Sequence, residues 1–211
     1  MILDSQSRLS RRAFRVRSAL RGLHRRGAAC FAAWVWCTGL AYAADHVSVS
    51  AARHGSAVAV QARATLGAPL EVIWGALTDY DNLSKFIPGI EKSQVATRKG
   101  SIVTVEQTGY AAFLFFDYPI QVLVRSEEHY PSAIRVRLLS GNLKQLDGGY
   151  RIESVEGRND RYVLHWSGII EPDTVLPLFI TMPLMRTNVR EQFLAMVREI
   201  ERRERARGQP G

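Results

Sequence analysis

The 211-residue chain has only two cysteines, Cys30 and Cys37, and none after position 37. A domain built from the remainder therefore has no disulfide, no cysteine nucleophile and no thiolate metal site. Long apolar runs are missing too. The most conspicuous one, Ala28 to Leu40, is shorter than the roughly 20 residues that cross a bilayer comfortably. From residue 44 onward there is no Gly-rich phosphate loop, no His-x-Glu, no His-Glu-x-x-His and no Gly-x-Ser-x-Gly elbow. The familiar nucleotide-binding, zinc-hydrolase and serine-hydrolase chemistries are thus without their motifs.

Positive charge is plentiful but confined. The net charge is +8, yet Arg8, Arg11, Arg12, Arg15, Arg17, Arg21, Arg25 and Arg26 all precede the apolar run, with Asp4 their only acidic companion; residues 44–211 carry a net charge of +1. The pI of 9.9 belongs to the leading segment and gives no reason to expect a nucleic-acid partner. Basic residues, an apolar run and the small-x-small Ala41-Tyr42-Ala43 together predict a signal peptide over residues 1–43, cleaved after Ala43, and export to the periplasm. A retained membrane anchor is the second reading. Ser10-Arg11-Arg12-Ala13-Phe14 resembles a twin-arginine motif, although five more arginines separate it from the apolar run. Cleavage would leave Ala44, Asp45 and His46 as a new N-terminus, whose amine, amides and imidazole make a square-planar nitrogen set for Cu(II) or Ni(II). Any early histidine creates such a set by accident, so a solvated N-terminus is the plainer reading.

The chain beyond Ala43 reads as one domain. Residues 44–55 are a polar, flexible lead-in; residues 56–206 form the domain; residues 207–211 are a frayed tail. Val58, Val60, Ala62, Ala64 and Leu66 alternate with polar residues as in a half-buried strand. Leu70, Ile73, Trp74 and Leu77 then recur at helical spacing behind Pro69, and a second short helix, capped by Asp79 or Asp81, buries Tyr80, Leu83 and Ile87 before Pro88-Gly89. About eighty residues of strands follow, with Lys99-Gly100, Asp117-Tyr118-Pro119, His129 to Ser132, Asp147-Gly148-Gly149 and Gly157 to Asp160 as turn signals. From Leu184, with Pro177 and Pro183 before it, Met185, Val189, Phe193, Met196, Val197 and Ile200 keep helical spacing to about Ala206.

This order predicts an α+β helix-grip fold, in which a curved antiparallel β-sheet, with two short helices after its first strand, wraps around a long C-terminal helix. The stretch Ala-Pro-Leu-Glu-Val-Ile-Trp-Gly-Ala-Leu-Thr-Asp-Tyr-Asp-Asn-Leu-Ser-Lys-Phe-Ile-Pro-Gly-Ile, residues 68–90, resembles the opening of the polyketide cyclase/dehydrase and lipid-transport family of the START-like superfamily, which includes coenzyme Q-binding proteins. Gly141-Asn142-Leu143-Lys144, Gly148-Gly149-Tyr150 and Pro172 to Pro177 fall where that family has its late hairpin and the approach to its last helix. The resemblance implies an apolar cavity between sheet and helix. Its implied ligand is a lipid, an isoprenoid quinone or a polyketide-like molecule, with no cofactor.

Phe86 and Ile87, Trp166, and Met185, Val189 and Phe193 are the candidate wall residues, set against the plainer reading that each is ordinary core. Phe113, Leu114, Phe115 and Phe116 fall at a hairpin tip, where exposed apolar residues would gate a ligand or touch a membrane transiently. Arg125 or Arg186 could anchor a carboxylate or a quinone oxygen. For acid–base chemistry the residues to examine are Glu106, His165, Gln192 and the Glu127-Glu128-His129 cluster. If Trp166 faces inward, His165 faces solvent. The leading functional reading is an exported soluble, non-enzymatic carrier or sensor; a cyclase/dehydrase enzyme is second and an accessory interaction module third. No nucleic acid and no particular oligomeric state is implied.

Overall fold

The computed structural model describes residues 47–113 and 116–208. Eight strands form one antiparallel sheet: β1 (Ser48–His54), β2 (Ala57–Leu66), β3 (Ile90–Lys99), β4 (Ile102–Phe113), β5 (Phe116–His129), β6 (Ala133–Gly141), β7 (Leu143–Val155) and β8 (Arg158–Pro172). Their order is β1-β2-β8-β7-β6-β5-β4-β3. Helix α1 (Leu70–Leu77) and a 3-10 helix (Tyr80–Lys85) follow β2, and α2 (Leu178–Arg207) ends the chain. At 1.5 Å per residue α2 is about 45 Å long, enough to cross the sheet and contact β1, β2, β4 and α1.

Alternation decides which side of the sheet is inside. Val58, Val60, Ala62, Ala64 and Leu66 on β2, Val103 and Val105 on β4, Val122 and Val124 on β5, and Ile152 on β7 are buried against the helices. The edge strand β3 carries Glu91, Lys92, Arg98 and Lys99, charges that keep an unpaired edge from recruiting other strands.

Four local expectations change. Residues 48–54, read as flexible, pair with β2 as strand β1, from Ser48↔Arg63 to His54↔Ala57. Few of its side chains are apolar, and α2 rather than its own composition holds it. Asp147-Gly148-Gly149 is not a turn; it lies inside β7, with Gly148 paired to Val136 and Gly168. A Cβ at Gly148 would sit 2.5 Å from the Ser167 carbonyl oxygen, so glycine is needed there for close strand approach. Pro183 lies within α2, which begins at Leu178 directly after Pro177. Asp117 to Pro119 likewise belongs to β5, where Pro119 pairs with Tyr110.

The two aspartates behave as long-range anchors. Neither caps the 3-10 helix by its side chain. Asp81 accepts the backbone N–H of Val95 at 2.7 Å, beside a bulge in β3. Asp79 accepts from Asn82 at 2.7 Å and from Arg203 at 2.6 Å. Arg203 also donates to Glu199 at 2.8 Å and to the Gly75 carbonyl at 3.1 Å, and its guanidinium lies 5.6 Å from the Phe86 ring centre. Glu199 is buried and accepts two bonds from Arg202, at 2.7 and 2.8 Å. Hydrogen bonds from Arg202, then those from Arg203, outweigh the cost of burial and hold its carboxyl down at about 2.

Arg203→Ala is expected to destabilise the domain by about 2 kcal/mol, below the 3–5 kcal/mol of a fully buried pair because Arg203 is partly solvated. The Glu199 carboxyl is more acidic folded than unfolded. Its contribution is therefore complete above pH 4.5 or so and declines as the pH falls toward 2. Urea unfolding at a series of pH values should show this decline in the native protein and its loss in Glu199→Gln.

Candidate functional site

Between the concave face of the sheet and α2 lies a cavity of about 310 Å³. Its outer end is bordered by Tyr110, Thr174 and Leu176, its inner end by Tyr80, Ser126 and Ile134; Tyr110 is exposed, whereas the inner three are buried. Val105, Ile120, Val122, Val124, Val136, Leu146 and Ile170 form the sheet wall, and Leu184, Met185, Val189, Phe193 and Met196 the helix wall.

The strand register explains where the space comes from. One inward row runs Val60, Gly168, Gly148, Val136, Ser126, and the next runs Ala62, Trp166, Tyr150, Ile134. Two facing glycines remove the side chains that would otherwise fill the middle of the first row. A Cβ on Gly168 would come within 2.8 Å of the Trp166 ring, so the indole lies over the gap. At the outer end, Gly89 adopts φ +79°, and a Cβ there would meet the Tyr110 carbonyl oxygen at 2.5 Å. This close approach lets the loop after the 3-10 helix border the cavity.

None of the described residues lining the cavity carries a charge. Most polar groups near the outer end are bonded to backbone: Asn188 donates to the Ala112 and Leu184 carbonyls at 3.2 and 3.1 Å, Gln192 to that of Pro88 at 3.4 Å, and Tyr118 to that of Asp173 at 2.9 Å. Gln107 donates to Ser93 at 3.2 Å. Deeper in, burial raises the Tyr80 hydroxyl well above its ordinary range, assisted by the charge of Glu128. That hydroxyl lies beside Ser126 and Glu128 yet forms no hydrogen bond among the described residues. Glu128 itself is paired with Arg98 at 3.1 Å. Burial alone pushes Tyr150 up to about 12. Both phenols therefore remain protonated donors at neutral pH.

Of the residues singled out from sequence, Ile87, Trp166, Met185, Val189 and Phe193 line this cavity together. Phe86 does not; its ring lies under Arg203. Arg125 is exposed on the outer face, because the inward positions of β5 are Ile120, Val122, Val124 and Ser126. Arg186 is turned away as well, donating to the Val49 carbonyl at 3.2 Å in a shallow groove with Arg190 and Ala51. His165 is on the outer face, 3.2 Å from Glu153. The backbones of Phe113 and Phe116 pair across the β4–β5 hairpin, while the side chains of residues 113–116 lie outside what is described. Ala44, Asp45 and His46 also fall outside the described residues. Sequence reading missed Tyr150, Ser126 and the Gly148–Gly168 pair as cavity residues. Their signal is register, which one strand's alternation does not supply.

A curved sheet closed around a long helix over an apolar cavity defines a START-like helix-grip protein. The chain belongs to the polyketide cyclase / dehydrase and lipid transport family, whose family model matches residues 66–199. None of the curated proteins matches the sequence significantly. Among solved structures it is similar to the ZhuI aromatase/cyclase of Streptomyces sp. R1128, with 18% identity and a TM-score of 0.61 over 72% of this chain and 98% of that one. A STAR-related lipid transfer protein of Xanthomonas axonopodis shares 10% identity with a TM-score of 0.60, over 74% and 94% of the two chains. Human STARD10 shares 11% identity with a TM-score of 0.56, over 74% and 73%. At these identities the likeness is one of fold.

Gly168→Ala should preserve the fold but displace the Trp166 ring, seen as a shift in tryptophan emission. Gly148→Ala directs its methyl at backbone and should cost about 1–3 kcal/mol, measured as a fall of several degrees in the thermal midpoint.

Proposed function

We propose that the protein is an exported soluble carrier or sensor that holds one apolar small molecule between sheet and α2. The observation that carries this reading is an apolar cavity of about 310 Å³ with no charged side chain among its described lining residues. Such a site binds chiefly by removing ligand surface from water. Burying roughly 250 Å² of apolar surface contributes about 6 kcal/mol before the cost of association. The volume stands at the low end of the roughly 300–1,000 Å³ of small-molecule pockets. A single acyl or isoprenoid chain, or a compact ring system, suits it better than a two-chain phospholipid.

A cyclase would need an acid or base poised near neutral pH inside the cavity. Among the described lining residues the ionisable groups are all tyrosines, and the two deepest, Tyr80 and Tyr150, are both raised by burial, which favours the carrier. An accessory module would have no need of an open interior. Transient membrane contact is the proposed route of uptake: Val175 is fully exposed and Phe179 is 75% exposed, next to Thr174 and Leu176 at the outer end.

Protein recovered from the extracytoplasmic fraction is expected to begin at Ala44 by N-terminal sequencing and, by native mass spectrometry, to retain a reproducible apolar molecule. An unprocessed N-terminus would sink the export reading; consistent absence of any bound molecule, or its turnover, would sink the carrier. Replacing Val175 and Phe179 together by Ser should slow extraction of a fluorescent hydrocarbon from phosphatidylcholine vesicles severalfold, and an unchanged rate would remove the membrane contact.

A further inference from the structure

Resting on the carrier reading, we infer that Tyr150 is the hydrogen-bond donor by which the cavity recognises its ligand, and that this ligand is a neutral molecule presenting one oxygen acceptor, such as a ketone, quinone, ester or alcohol.

Several of the cavity's polar groups are already engaged. Asn188, Gln192, Gln107 and Tyr118 are each bonded to protein. Tyr150 is not: no protein group among the described residues bonds its hydroxyl, and burial is the sole cause of its raised pKa. The side chain keeps accessible surface although protein encloses it. Since it also lines the cavity, that surface faces the cavity interior. Tyr80 differs, because its hydroxyl has essentially no accessible surface; a ligand in the cavity meets its ring. Tyr150 pairs in register with Ile134 on one side and Trp166 on the other. Its ring is thus fixed between two bulky inward neighbours, beside the gap left by Gly148 and Gly168.

The charge of the ligand follows from its surroundings. A carboxylate taken into this space would lose its hydration without meeting a cation, since Arg125 and Arg186 lie outside it and Arg98 is paired with Glu128. The Glu128 carboxylate, next to the inner end, would add repulsion. A neutral carbonyl or hydroxyl oxygen has a lower desolvation cost and gains the phenol O–H. A pure hydrocarbon leaves that donor unmatched, which is where discrimination arises.

The test uses three probes of nearly equal shape, 2-acetylnaphthalene, 2-isopropylnaphthalene and 2-naphthoate, each displacing N-phenyl-1-naphthylamine from the full mature chain. In the native protein the ketone should bind well ahead of the naphthoate at neutral pH. In Tyr150→Phe the ratio of ketone to hydrocarbon affinity should fall about three- to tenfold, with the hydrocarbon binding no more weakly than in the native protein. An unchanged ratio, or naphthoate binding the native protein as tightly as the ketone, overturns the inference while leaving the carrier intact. If no probe and no N-phenyl-1-naphthylamine binds, the carrier reading falls as well. Comparison of ketone with naphthoate in the native protein decides the charge argument even if Tyr150→Phe does not fold.

Discussion

The domain depends on α2 burying its apolar face in the core along only part of its length. Apart from Thr181, its buried residues, Phe193, Met196, Val197, Glu199 and Ile200, all belong to the C-terminal half. There the apolar face enters the core, and Arg203 ties Glu199 to Asp79 and Gly75. In the other half, Leu184, Met185 and Val189 face the cavity instead of packing down on the sheet. There the helix is held at the rim of the sheet by polar bonds, Arg186 to the Val49 carbonyl of β1 and Asn188 to the Ala112 carbonyl of β4, and spans an unfilled space between them. Apolar surface left without neighbours costs both hydration and dispersion energy, so an open span of this kind needs attachments on both sides of it.

The sheet contributes the opposite omission. Its inward rows would carry a side chain at every position, yet Gly148 and Gly168 face each other at the centre. Trp166 bridges part of that gap. A void of this kind is destabilising at about 24 cal/mol per Å³ in engineered cores, so the buried rows beside it on β2, β4 and β5 and the far end of α2 must supply compensating stability. The molecule divides accordingly: one end packs like an ordinary core, and the other is kept open.

Much of this is legible in the sequence, and the parts that are not share one cause. Two-residue alternation identifies β2, β6 and the middle of β8, and the spacing from Met185 to Ile200 identifies α2, because each signal is local. Ile87, Trp166, Met185, Val189 and Phe193 are recognisable as wall candidates for the same reason. Asp79 and Asp81 look like helix caps because capping is what a local pattern offers; their partners are 124 and 14 residues away. Asp147-Gly148-Gly149 reads as a turn since glycine pairs usually are turns, whereas here the pressure on glycine comes from the strands on either side. Chemistry alone would put Arg125 and Arg186 inside. The alternation of β5 puts the first outside, and the β1 carbonyl of Val49 draws the second away.

The chemistry of the cavity follows from what its walls leave unpaired. Burial alone would select against any polar group inside an apolar space, and the outer polar residues obey this by bonding to backbone. A phenol is the polar group least costly to leave there. It is neutral, its hydroxyl sits on a large apolar ring, and burial only strengthens its hold on the proton. An arginine in the same place would demand a counter-ion, and a histidine would change charge with small shifts in pH. Tyrosine therefore lets an otherwise featureless apolar site tell an oxygenated ligand from a hydrocarbon without admitting an ion.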